Sequence, residues 1–211
     1  MRPFNQSLVV YVIWMLLISG AGLATYQQQW DALLVTVLTF ALTFAPMQFQ
    51  RFYHVKIPVF FTSAIIVFTY STLFLGEIGN FYERLWWWDV LLHGGSAIGF
   101  GLIGFIFIFM LFGGDKFAAP PVAIAWFAFS FAMTLGIIWE IFEFWVDQLF
   151  GANMQKSGLA DTMNDLMVDA FGAGVGATAG FFYLKGWWFG GLAALINEFV
   201  ESNKDLFKKN K

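Results

Sequence analysis

Residues 89–112 read DVLLHGGSAIGFGLIGFIFIFMLF, and this stretch decides the fold class. From Val90 onward every residue is apolar or glycine, apart from His93 and Ser96. About 20 such residues in a helix cross the roughly 30 Å hydrocarbon core of a bilayer. Backbone in lipid must satisfy its own hydrogen bonds, and a run this long is a helix, not a barrel strand. Its first turns carry Asp89 and His93. Ionisable groups at membrane depth are costly and mark a partner or a purpose.

Five more runs have the same character, at about 8–26, 31–48, 57–76, 119–148 and 162–184. The chain has 211 residues, 59% of them hydrophobic and 12% charged, with mean hydropathy +0.69. Soluble domains carry roughly 25% charged residues. The expectation is an all-α polytopic integral membrane protein with six transmembrane helices over residues 1–186. Residues 187–211 then form a C-terminal amphipathic cytoplasmic helix and tail, with Trp188, Leu192, Leu195, Ile196 and Phe199 on one side. There is no cysteine, so disulfides and thiolate metal sites are excluded. A net charge of −3 is not basic enough to suggest a nucleic-acid partner, and there is neither a Walker loop nor a dinucleotide-binding glycine motif in the required strand-helix context.

Basic residues orient the spans. Arg2, Arg51, Lys56, Lys116, Lys185, Lys204, Lys208, Lys209 and Lys211 fall on one side of a six-span arrangement, and Arg84 and Lys156 on the other. Both termini are therefore expected in the cytoplasm, with loops 27–30, 77–88 and 149–160 outside. The stretch Ala21 to Ala24 mimics a signal cleavage site. The apolar run before it exceeds a typical signal core, so it reads as a retained first span. Phe81, Tyr82, Trp86, Trp87 and Trp88 suit an interfacial aromatic belt. His54 reads as a solvated loop histidine.

The last three spans differ from the first three. They carry Asp89, His93, Glu140, Glu143, Asp147, Asp161, Asp165 and Asp169. They also carry Gly95 and Gly99, and Gly172, Gly176 and Gly180, at the four-residue spacing that lets helix backbones approach closely. Within each span the ionisable residues recur at steps of three and four, so they share one helical face. Counting about 20 residues from the inner span ends near Gly113, Pro120 and Lys185 reaches His93, Glu140 and Asp165. Three separate counts thus meet at one level, the outer boundary of the bilayer. Asp169 lies about one turn deeper, and Asp147 and Asp161 nearer to water.

Seven carboxylates in a low-dielectric pocket cannot all stay ionised unaided. Either they share protons or cations join them. Carboxylates with one imidazole form a ligand set for a divalent cation such as Mg²⁺, Mn²⁺, Ca²⁺ or Zn²⁺. The expected ligands are Asp89, His93, Glu140, Asp147, Asp161, Asp165 and Asp169. Glu143 and His93 are the expected catalytic groups, with Glu143 as general base for a metal-activated water. The depth of the site suits a lipid headgroup or a lipid-linked phosphate as substrate.

Several motifs recur in an order that resembles a known family. They are Leu75-Gly76-Glu77, Trp87-Trp88-Asp89, Leu92-His93-Gly94, Trp139-Glu140-Ile141-Phe142-Glu143 and Asp161-Thr162-Met163-Asn164-Asp165-Leu166. Over roughly residues 57–185 the chain resembles the YjdF-like family of small bacterial inner-membrane proteins. That resemblance implies a fold and a membrane, not a reaction. A looser similarity is to VanZ-like proteins, with Asp89, His93, Glu140, Asp165 and Gly172 in corresponding places. This chain has Asp169 and Glu143 where that pattern has amides, and the associated resistance activity is not carried over. Two other function classes stay open: a proton- or ion-coupled transporter, and a non-catalytic lipid- or partner-binding membrane protein.

Overall fold

The computed structural model describes residues 6–187 and 190–207. Arg2, Trp188, Lys208, Lys209 and Lys211, used above for orientation and for the tail, lie outside the described residues. The described residues are helical with no strand. Six helical stretches are long and apolar enough to cross a membrane, namely Leu8–Tyr26, Trp30–Tyr53, Val59–Ile78, Trp88–Leu111, Pro121–Phe150 and Leu159–Leu184. The chain divides into two compact units, residues 1–88 and 89–211. The division falls in the first turn of the fourth span.

The first unit contains α1 (Leu8–Tyr26), α2 (Trp30–Leu42), α3 (Ala45–Tyr53) and α4 (Val59–Thr69). A π-helix, Tyr70–Ile78, continues α4, and a single turn, α5 (Phe81–Arg84), follows. Val10, Ile13 and Leu17 of α1 pack with Ile66 and Tyr70 to form its core. Polar groups are satisfied locally, as lipid requires. Thr36 and Thr39 hydroxyls donate to the carbonyls four residues earlier, both at 2.7 Å. Trp14 Nε1 donates across helices to Thr43 Oγ1 at 3.0 Å. Of the aromatic belt, Trp86 is exposed, but Trp88 is buried and meets the Phe81 ring edge-on at 4.9 Å. The bulky indole is absorbed by packing. His54 is exposed, with a left-handed φ of 54° that ends α3.

The second unit holds α6 (Trp88–Leu111, from Asp89 onward), α7 (Pro121–Phe150), α8 (Leu159–Leu184) and α9 (Gly190–Ser202). A 3₁₀ turn, Lys204–Phe207, closes it. Glycines decide how α6 and α8 meet. A Cβ on Gly172 would sit 2.6 Å from the Gly94 carbonyl oxygen, and one on Gly176 would sit 2.6 Å from that of Ile98. A Cβ on Gly180 would collide with the Phe105 ring. The expected stripe on α8 therefore lies in a backbone-to-backbone contact. The expected pair on α6 does not, because a Cβ on Gly95 or Gly99 would meet nothing within 4 Å. Gly101 faces α8 and Gly104 faces α7 at Ala128 and Phe131 in their place. Helices with many glycines offer several stripes, and only the partner's position selects one.

At the opposite end from the acids, Phe105 and Phe109 are fully or almost fully buried and stack at 5.7 Å, with Tyr183 edge-on to both. Ala193, Ile196 and Asn203 are buried, and Phe207 meets Phe109 at 5.5 Å. So α9 and the turn after it are packed into the second unit, beyond what a helix resting on a lipid surface requires. Large apolar side chains such as Ile137, Ile138, Ile141 and Phe142 cover the outside of α7.

Candidate functional site

The acids gather at one end of the second unit. Asp89 and His93 come from α6, Glu140 and Glu143 from α7, and Asp161, Asp165 and Asp169 from α8. Steps of three and four residues put each set on one helical face. Close approach of the backbones then sets their distances. Gly172 lies against Gly94, so His93, next along α6, reaches Asp169, three residues before Gly172 on α8. On α7, Gly136 leaves the space that the Asp169 carboxylate occupies.

His93, Glu140 and Asp165 are all buried, and one ligand atom from each lies within 4.8 Å of the other two. These are the three residues reached by counting from the inner span ends. Helical rise is constant, so the ruler transfers directly from sequence to space. Asp89, Asp161 and Asp165 form a second such group within the same limit, with Asp89 and Asp161 partly exposed. Asp165 belongs to both.

The histidine is held on one side. Its Nδ1 lies 3.3 Å from Asp169 Oδ1, and the two residues are buried together. With the ring proton on Nδ1 donated to Oδ1, Nε2 is the ring nitrogen left to face the cluster. Nε2 faces Asp89 Oδ1 at 3.9 Å, beyond hydrogen-bond length. Asp169 thus stands behind the imidazole as its orienting partner, a place typical of residues supporting metal-bound histidines. It was expected among the ligands themselves.

Glu140 has 4% of its surface exposed, and neither carboxylate oxygen has a hydrogen-bond partner among the described residues. The Thr162 hydroxyl is a polar neighbour outside hydrogen-bonding geometry, and it accepts from Gln155 Nε2 at 2.7 Å. A buried charged group left without a partner costs more than the roughly 1–3 kcal/mol of a neutral one. Glu143, also buried, accepts from Trp139 Nε1 at 2.9 Å through its Oε1. It feels the charges of Glu140, His93 and Asp89.

Asp147 is placed elsewhere. Its two oxygens accept from the backbone N–H groups of Met154 and Gln155, at 2.8 and 2.9 Å. It anchors the 151–158 loop and takes no part in either ligand group. Spacing alone put it on the acidic face, whereas the orphan amides of the following loop claim it. Gly136 has no place in the sequence motifs, and Trp139 and Thr162 stand in them without an assigned role. Gly136 and Trp139 each stand four residues before an acid of α7, a spacing that signals contact or clearance on one face.

Comparison with known proteins adds lineage but no reaction. The chain is 31% identical over 133 residues to a Thermotoga maritima protein named "Uncharacterized protein", covering 61% of this chain and 66% of the relative. The match thus spans slightly less than two thirds of that relative's length. No solved structure matches the chain. The family model described as "Predicted membrane protein (DUF2238)" matches residues 6–186, and the chain belongs to that family, the YjdF family.

Proposed function

We propose that this membrane protein binds a divalent cation through His93, Glu140 and Asp165, and uses it to hydrolyse a lipid or lipid-linked substrate. The observation that carries the reading is Glu140, whose two buried oxygens have no hydrogen-bond partner among the described residues, while one of them lies within 4.8 Å of ligand atoms of His93 and the buried Asp165. A cation supplies the charge that the surrounding protein does not. Asp169 favours the same reading, because it holds the imidazole with Nε2 turned away from it. The ligand chemistry fits Mg²⁺, Mn²⁺, Ca²⁺ or Zn²⁺. A cation held by His93, Glu140 and Asp165 would supply Lewis-acid activation of a water, and Glu143 is placed to take that water's proton as it attacks the ester. The proton then passes to the leaving oxygen, so the reaction consumes one water and releases an alcohol and an acid.

The site lies about 20 residues from the far ends of its helices, which suits a headgroup or lipid-linked phosphate at one bilayer face. We place that face outside the bacterial inner membrane, with both termini in the cytoplasm, from the asymmetry of Lys and Arg. A route through the membrane is not favoured. Residues 94–111 of α6 and 121–139 of α7 contain no charged side chain. The cluster is a dead end, as a hydrolase site is.

The test is metal content of the detergent-purified protein by mass spectrometry, with Glu140→Gln and Asp165→Asn alongside. Stoichiometric metal in the wild type and loss in both variants is expected. Turnover is then assayed with a fluorescent phosphatidylglycerol and a polyprenyl phosphate. A wild type without metal, or variants that retain it in full, would overturn the binding site. Turnover of neither probe in metal-loaded protein would overturn the hydrolase assignment for these two substrates.

A further inference from the structure

Resting on the cation-binding reading above, we infer that the cluster holds two divalent cations bridged by the Asp165 carboxylate. The two ligand groups, His93 with Glu140 and Asp165, and Asp89 with Asp161 and Asp165, each fit within 4.8 Å and share that one residue. Asp165 is 3% exposed and is the residue common to both groups. Like Glu140, whose two buried oxygens have no hydrogen-bond partner among the described residues, it is a buried carboxylate set among the other ligand atoms. A buried carboxylate with ligand partners on both sides is placed to bridge two ions.

The helices distribute their residues accordingly. From α6, His93 serves the inner position and Asp89 the outer one, four residues apart. From α8, Asp165 serves both and Asp161 the outer one, again four residues apart. The two positions adjoin where His93 Nε2 faces Asp89 Oδ1 at 3.9 Å. Paired catalytic ions sit about 3.5–4 Å apart, a separation that one bridging carboxylate supports. Charge agrees as well. The four carboxylates in the two ligand groups, Asp89, Glu140, Asp161 and Asp165, match the four positive charges of two dications, with Asp169 and Glu143 adding acidity beyond them. The nearby protein cation, Lys156, interacts with Asp161 and is single against four carboxylates. The inner position is buried, whereas Asp89 and Asp161 at the outer one are partly exposed. The outer ion therefore keeps open positions for water or an incoming oxyanion.

Manganese alone is the probe. The full chain in detergent is loaded with Mn²⁺, desalted, and examined by metal analysis and electron paramagnetic resonance. Two Mn²⁺ per chain with an exchange-coupled spectrum are expected in the wild type. Asp161→Asn, and separately Asp89→Asn, should each leave one Mn²⁺ with an isolated-ion spectrum. One Mn²⁺ in the wild type, or two without coupling, overturns the bridged pair and leaves the single-cation reading standing. No Mn²⁺ in the wild type overturns both. The wild-type spectrum decides by itself, so the test survives a variant that fails to fold.

Discussion

Replacing Gly136 by alanine probes whether the imidazole's support governs cation affinity. A Cβ at this position would run into Asp169 Oδ2 and lie 3.1 Å from its Cγ. The atoms in the way belong to the end of a side chain, so the carboxylate turns aside and the helices stay in place. The bond from His93 Nδ1 to Oδ1 is already 3.3 Å long and does not survive that rotation. Loss of such a partner behind a metal-bound histidine weakens binding by about 10- to 100-fold. That corresponds to about 1.4–2.7 kcal/mol. The assay is Mn²⁺ titration of the detergent-purified protein, with free Mn²⁺ read by electron paramagnetic resonance. Gly99→Ala is the control, because its Cβ would meet nothing within 4 Å. Gly136→Ala made in an Asp169→Ala background should add no further loss, since the two changes break one interaction. A folded Gly136→Ala protein that binds Mn²⁺ as tightly as the wild type would refute the reasoning.

Three other outcomes are expected. Gly176→Ala should destabilise the protein by about 1–3 kcal/mol in denaturant titrations, because its Cβ would press on backbone atoms that cannot rotate away; Gly95→Ala should not. Asp147→Asn should leave Mn²⁺ binding unchanged and speed hydrogen exchange at Met154 and Gln155 by about tenfold, reflecting about 1.4 kcal/mol of lost charge-assisted bonding. In chelator, Glu140→Gln should melt higher than the wild type, and Mn²⁺ at roughly 100 times Kd should stabilise the wild type alone, by about 2.7 kcal/mol. Equal responses of both proteins to Mn²⁺ would count against Glu140 as a ligand.

The six spans were legible because length and hydropathy are one-dimensional properties. Convergence of His93, Glu140 and Asp165 was legible for a related reason: a fixed rise per residue converts sequence distance into depth. What each acid does at that depth depends on its neighbours, and there the sequence was less informative. Asp147 and Asp161 looked alike, yet one binds loop amides and the other faces Asp165. Asp169 looked like a ligand and stands instead behind His93. Gly95 and Gly99 carried the right spacing on the wrong side of α6, while Gly94 and Gly101 meet α8. The π-helical turn after Thr69 and the docking of α9 through Ile196 and Phe207 also left no pattern that periodicity detects.

The regular spacing on α8 has a further consequence. Asp161, Asp165 and Asp169 repeat every four residues, and so do Gly172, Gly176 and Gly180. Sliding α8 by four residues, about 6 Å, would replace most acids by acids and glycines by glycines. Neither set alone can therefore tell the helix where to stop. The flanking bulky residues can. Slippage one way drives Val168 into the place where Gly172 meets Gly94 and Ala97; slippage the other way drives Leu184 onto the Phe105 ring that Gly180 admits. The alignment of the whole acidic end is thus locked by two aliphatic side chains that touch none of its chemistry.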